Sequence, residues 1–268
     1  MPLFEVETGV RVAYEDRGSG RPLVFVHGWG ASGDVWDYQV LDLSERYRVI
    51  TIDLRGHGCS DKPWGRYDYA LFCRDLQALM TGLQLADVTL IGWSMGGHIA
   101  LKYVHTVGTP VSRLVLTGSG PRFLQDSDAP YGGAAESAEQ LCEAIRSARP
   151  ETIAGLYASN FHRTDLEATR DWFIRIGTAV PAFVGLSSFQ SLLAEDLRDV
   201  LPGLAIPIAV FSGRHDQIWD GRWSQLVADQ APNATLTYFE NSGHVAFIED
   251  RAAWNAALVT FVEATTAS

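Results

Sequence analysis

Cysteine is scarce in this 268-residue chain, which has only Cys59, Cys73 and Cys142. The number is odd, the spacing is wide, and no C-x-x-C pair or Cys/His metal spacing occurs. A disulfide framework and a zinc site are therefore both disfavoured, and no metal is expected. Positive charge is also short: 21 Lys and Arg face 32 Asp and Glu, for a formal net charge of −11. A nucleic-acid binder needs a basic face, and an anionic membrane surface repels an acidic protein, so neither partner is expected. No apolar run approaches the roughly 18 residues of a membrane-spanning helix. The opening MPLFEVETGVRVAYED lacks the basic and apolar regions of a secretion signal, which makes a cytoplasmic location the expectation. A cofactor motif is missing too. GSGRP at 18–22 precedes its strand, whereas a dinucleotide loop would follow one.

What is present is an ordinary globular composition, 47% hydrophobic and 20% charged, long enough for one large core and one substantial insertion. FEVETG (4–9) and VRVAYED (10–16) alternate like an antiparallel hairpin. PLVFVHG (22–28), RVITIDL (48–54), VTLIGWS (88–94), SRLVLTGS (112–119), IPIAVFSG (206–213) and ATLTYFEN (234–241) are near-continuous apolar runs. Runs of that kind read as strands buried on both faces of a parallel sheet. Amphipathic stretches at 34–47, 70–85, 95–107 and 252–264 alternate with them, which predicts a doubly wound α/β sheet of eight strands. Between 121 and 204 the rhythm breaks into helical patterns: AESAEQLCEAIRSA, PETIAGLYASNF, ATRDWFIRIGTAV and SSFQSLLAEDLRDVL. Structureless loops of that length are uncommon, so 121–204 is expected to be a helical cap inserted in a core of 1–120 and 205–268.

The chemistry gathers around LIGWSMGGHIA at 90–100, where a core strand runs into a serine fenced by glycines. Gly92-Trp93-Ser94-Met95-Gly96 fits G-x-S-x-G at a strand-to-helix turn. There the backbone is so tight that side chains two residues before and after the serine would collide. The turn raises the Ser94 hydroxyl to the carboxyl edge of the sheet, and the amide of Met95 at the helix start is free to donate to an oxyanion. A nucleophilic serine needs a base, and the base needs an orienting acid. GRHDQI (213–218) offers Asp216 after one strand, and NSGHVAFIED (241–250) offers His244 after the next, in the chain order serine, acid, histidine. Asp220, Asp126 and Asp128 are rival acids. HGWG at 27–30 supplies a second oxyanion donor: Gly28 and Gly30 let the backbone pass close, leaving the Trp29 amide beside that of Met95. The side chains of Trp29 and Trp93, with Met95 beside them, are expected to wall the acyl pocket. Cap aromatics (Phe123, Phe161, Trp172, Phe173, Phe183 and Phe189) share that role or fill the cap's own core, and their spacing does not choose among them.

Six other histidines have duller readings. His27 and His57 sit in glycine-flanked turns and shape loops, His98 and His105 fall inside the helix after Ser94, and His162 lies in the cap. His215 adjoins the acid but points the other way.

With HGWG, DLRGHGCSDKP (53–63), GWSMGG, GRHDQ and NSGH in order, the chain resembles the α/β-hydrolases from about residue 10 to its end. Within them, HGWG with GWSMGG, the segment SLLAEDLRDVLPGLAIPIAVFSGRHD, and GHVAFIED are most similar to pimeloyl-acyl-carrier-protein methyl ester esterases. The DLRGHGCSDKP loop looks more like non-haem haloperoxidases and enol-lactonases. The resemblance implies a serine esterase acting on a small or medium carboxylic ester, with Ser94 as nucleophile, Asp216 as acid and His244 as base. It also implies an acyl-carrier protein as a partner, although the segment 121–200 holds seven arginines, no lysine and twelve acidic residues. Dehalogenases and epoxide hydrolases of this fold carry Asp where Ser94 stands, and are disfavoured. A tailoring enzyme using the same pocket (a cyclase, lyase, C–C hydrolase or perhydrolase) and a ligand receptor on a hydrolase scaffold are the alternatives.

Overall fold

The computed structural model describes residues 1–264; the last four residues of the stretch assigned to the core lie outside it. Eight strands form one sheet: β1 (Leu3–Glu7), β2 (Val10–Arg17), β3 (Pro22–Val26), β4 (Arg48–Ile52), β5 (Val88–Trp93), β6 (Val111–Thr117), β7 (Ile208–Gly213) and β8 (Ala234–Phe239). Their order is β1-β2-β4-β3-β5-β6-β7-β8. β1 and β2 pair antiparallel, β2 meets β4 antiparallel, and all other pairings are parallel. Every residue of β3, β5 and β7 is buried, because helices cover both faces of the centre. The edge strand β1 alternates between exposed and partly buried residues.

Helices α1 (Asp37–Leu43), α2 (Tyr69–Gly82), α3 (Met95–Thr106), α8 (Gly221–Gln230), α9 (Ala246–Glu249) and α10 (Arg251–Glu263) connect or flank these strands. Their boundaries follow local chemistry. Asp68 caps α2 by accepting the Leu71 amide at 2.9 Å, and Asp220 caps α8 by accepting that of Arg222.

Between β6 and β7 the chain departs from the sheet and forms α4 (Ala135–Ser147), α5 (Arg149–Ala158), α6 (Glu167–Ala179) and α7 (Ala182–Ala194). α6 and the more apolar α7 meet at 97° across Pro181. Among the described residues no single helix is long and apolar enough to cross a membrane. SSFQSLLAEDLRDVL, read as one helical stretch, is two pieces. α7 stops where Glu195 turns extended, and a 3-10 helix resumes at Arg198–Gly203. The break sits at a charge cluster: Asp196 binds Arg122 and Arg198, and Asp126 binds both arginines as well. An ion-pair knot of this kind carries no helical periodicity, so the sequence pattern ran through it.

Candidate active site

Ser94 follows β5 and opens α3 at φ 55°, ψ −124°, a left-handed backbone that a residue with a side chain adopts only when its surroundings impose it. The surroundings are glycine contacts. A Cβ on Gly92 would lie 2.4 Å from the Gly96 carbonyl oxygen and Gly97 Cα. One on Gly96 would lie 2.4 Å from the carbonyl oxygens of Val26 and His27, so this glycine makes room for β3, not for its partner across the turn. The Ser94 amide donates to Thr117 at 3.0 Å, and the Ser119 hydroxyl donates to the Ser94 carbonyl at 2.8 Å. These bonds tie the turn to β6.

Asp216 and His244 emerge beyond β7 and β8, at the same carboxyl edge of the sheet. His244 Nδ1 lies 2.8 Å from Asp216 Oδ2, with the two side chains 2% and 1% exposed. The second oxygen, Oδ1, accepts the amides of Ile218 and Trp219 at 2.8 and 2.9 Å. Held by the two amides on Oδ1, the carboxylate turns Oδ2 to the imidazole and fixes the tautomer: Nδ1 carries the proton and Nε2 is left as an acceptor. The rival acids are elsewhere. Asp220 pairs with Arg222 at the start of α8, Asp126 pairs with Arg122 and Arg198, and Asp128 is exposed.

The loop after β3 runs beneath Ser94. A Cβ on Gly28 would meet the Trp93 ring at 2.8 Å and Ser94 Cβ at 3.1 Å, which is why only glycine passes here. Gly30 sits at φ +69°, and the Tyr157 hydroxyl of α5 donates to the Trp29 carbonyl at 2.8 Å. The Trp29 indole donates to Gly185 of α7 at 2.8 Å.

A cavity of about 60 Å³ lies above these residues, between the sheet edge and the inserted helices. Ser94, His244, Trp29 and Trp93 line it together with Phe123, Phe189, Leu141, Leu156, Leu192 and Ile218. Asn160 and Tyr157 complete the wall. Met95 does not reach the cavity; its side chain is fully buried in the core. Of the six cap aromatics, Phe123 and Phe189 reach the space. Phe173 packs on Trp93, Phe161 and Trp172, and Phe183 packs on Trp64 and Tyr67.

Two further residues hold the site. Glu249 is 2% exposed; its Oε1 accepts the His162 and Arg163 amides and its Oε2 accepts that of Gly243, next to His244. Burial pushes its carboxyl above the usual range against those three donors. The other is Asn160, whose carbonyl accepts the His244 amide at 2.8 Å. The remaining histidines are structural or peripheral. His27 Nε2 accepts the Leu54 amide at 3.0 Å, and burial lowers its pKa well below the ordinary value. His98 is held between Pro121 and Tyr69, and His57 against Arg55. Burial lowers both to about 4. His162 and His215 are exposed and stack on each other. No cluster of three or more metal-ligating side chains occurs among the described residues.

Residues 21–251 match the family model for the alpha/beta hydrolase fold. An AB hydrolase superfamily protein, YisY, of Bacillus subtilis is 33% identical, covering 96% of this chain and 97% of its own. The non-heme chloroperoxidase CPO-A1 of Kitasatospora aureofaciens is 32% identical over 98% of this chain and 99% of its own. Among solved structures, an esterase from Exiguobacterium antarcticum superposes with a TM-score of 0.94 at 34% identity, covering 98% of this chain and 99% of that one.

Proposed function

Because the chain belongs to the α/β-hydrolase family, a family of enzymes, we propose that it is a serine hydrolase cleaving a small carboxylic ester through an acyl-enzyme on Ser94. The observation that carries this reading is the buried Asp216–His244 pair opening onto the same cavity as Ser94. His244 Nε2 takes the hydroxyl proton as Ser94 Oγ attacks the carbonyl, and returns it to the leaving alcohol. Water then attacks the acyl-enzyme with its proton going to the same nitrogen, releasing the carboxylic acid and free Ser94. The amides of Trp29 and Met95 hold the oxyanion, each donor contributing on the order of 10²–10³ in rate. The apolar wall of Phe123, Leu141, Leu156, Phe189 and Leu192 and the volume of about 60 Å³ fit a short acyl group.

Hydrolysis of p-nitrophenyl esters from acetate to decanoate, with Ser94→Ala and His244→Ala alongside, tests the reading. Activity highest on the short chains and reduced at least about 10³-fold in both variants is expected. Equal activity in Ser94→Ala would contradict it. The chloroperoxidase relative supports a second reading, in which hydrogen peroxide replaces water at the acyl-enzyme and gives a peracid. Oxidation of bromide by the peracid, requiring both a carboxylic acid and peroxide and lost in Ser94→Ala, would distinguish it.

A further inference from the structure

Three polar side chains line the cavity without a structural bond that uses them up: Ser94, His244 and Asn160. The reaction employs the first two. Tyr157, also on the wall, commits its hydroxyl to the Trp29 carbonyl. Asn160 is different. It is 5% exposed, and both its backbone groups are engaged: its amide donates to Tyr157 at 3.3 Å and its carbonyl accepts from His244. Its carboxamide makes no hydrogen bond among the described residues, neither amide atom is wholly sealed, and the residue lines the cavity. Apart from Ser94, His244 and Tyr157, the other wall residues are aliphatic, Phe or Trp.

Once a substrate displaces water from this apolar space, a carboxamide left without a partner becomes costly, a penalty that an Ala, Val or Leu in the same wall would not carry. The carboxamide offers two donors and an acceptor within the space where the substrate must lie. We infer that Asn160 is a specificity-determining residue, whose carboxamide binds a second hydrogen-bonding oxygen, a hydroxyl or carbonyl, close to the scissile ester. The substrate class is then a hydroxy- or oxo-substituted short ester instead of a plain alkyl ester. This rests on the ester-hydrolase reading for the reaction but not for the binding. A site built around a hydrogen bond rejects the analogue that lacks it, because the amide is then left buried and unpaired.

The test separates the two by measuring binding without turnover. Ethyl 3-hydroxybutanoate, ethyl 3-oxobutanoate and ethyl butanoate are titrated by NMR into the full chain carrying Ser94→Ala, and into the same protein carrying Asn160→Leu in addition. The parent is expected to prefer one of the substituted esters over ethyl butanoate by about tenfold or more, and Asn160→Leu to collapse that ratio towards one. The ratio within one protein cancels any general damage from the substitution, and the parent's ratio requires no second variant. A parental preference below about threefold, or one that survives Asn160→Leu, overturns the proposal. Selective binding by a protein whose wild type cleaves none of the three would sink the hydrolase reading and leave this one standing.

Discussion

The hydroxyl of Tyr157, on an inserted helix, donates to the carbonyl of Trp29, in the loop that carries one proposed oxyanion donor, at 2.8 Å. The bond couples the helical insertion to the chemistry through a peptide group whose neighbour, Gly30, already needs a positive φ. Tyr157→Phe removes the hydroxyl and leaves the ring in place. A loss of about 1 kcal/mol in stability and of about tenfold in kcat, with KM changed less, is expected. Steady-state kinetics and thermal unfolding on the same preparation check both, and an unchanged kcat would show that the loop holds its shape unaided.

Glu249 makes a parallel link on the histidine side. One carboxylate accepts amides from both the insertion (His162, Arg163) and the His244 loop (Gly243). In Glu249→Gln an NH₂ must face at least one of those donors, at a cost of about 1–3 kcal/mol. A lower melting temperature together with a lower kcat is expected. Destabilisation with full kcat would mean that the carboxylate braces the fold but does not place His244.

The glycines of the serine turn are not equivalent to other small residues. Gly96→Ala drives a methyl group to 2.4 Å from the backbone of β3, where no side chain can yield. A loss of about 3 kcal/mol or more is expected, read by chemical denaturation. Gly155→Ala, where a Cβ meets nothing, serves as the control and is expected to be neutral or stabilising.

Buried histidines make the fold acid-sensitive, His27 among them, its pKa held well below the ordinary value by burial. His57 and His98 are neutral in the fold and protonate only near pH 4, whereas unfolded histidine protonates near 6.5. Between those values the unfolded chain binds more protons, so stability falls as pH falls from about 6.5 to 4, by up to about 3 kcal/mol per histidine. Denaturation midpoints from pH 7 to 4.5 should show this slope, shallower by about one proton in His98→Gln. An identical slope in that variant would assign the sensitivity to other groups.

Much of the sheet and of the site was legible from local pattern. Apolar runs marked β3 to β8, since central strands buried on both faces leave little room for polar residues, and two-residue alternation marked the more exposed pair β1 and β2. Ser94, Asp216 and His244 stood out because each follows a strand within a few residues, where a sheet edge places them together. Tyr157, Asn160 and Glu249 escaped notice for the opposite reason. The partners of Tyr157 and Asn160 are remote in sequence, Trp29 lying 128 residues from Tyr157, and Glu249, although inside GHVAFIED, shows its use only where it meets the amides of His162 and Arg163, 87 and 86 residues away. The end of α7 was misjudged for a related cause, since Asp196 answers to Arg122 and not to the helix around it.

The inserted arginines also find their uses only in three dimensions. Arg122, Arg146, Arg163 and Arg198 pair with acids in the same insertion, and Arg149 donates to the carbonyls of Thr178 and Val180.

The central claim is that Ser94 is the armed nucleophile. Its most direct measurement is intact-protein and peptide mass spectrometry after exposure to a fluorophosphonate. The account predicts a single adduct, mapped to Ser94, that forms slowly in Asp216→Asn and not at all in Ser94→Ala. An adduct on another residue, or none on the wild-type protein, would contradict it.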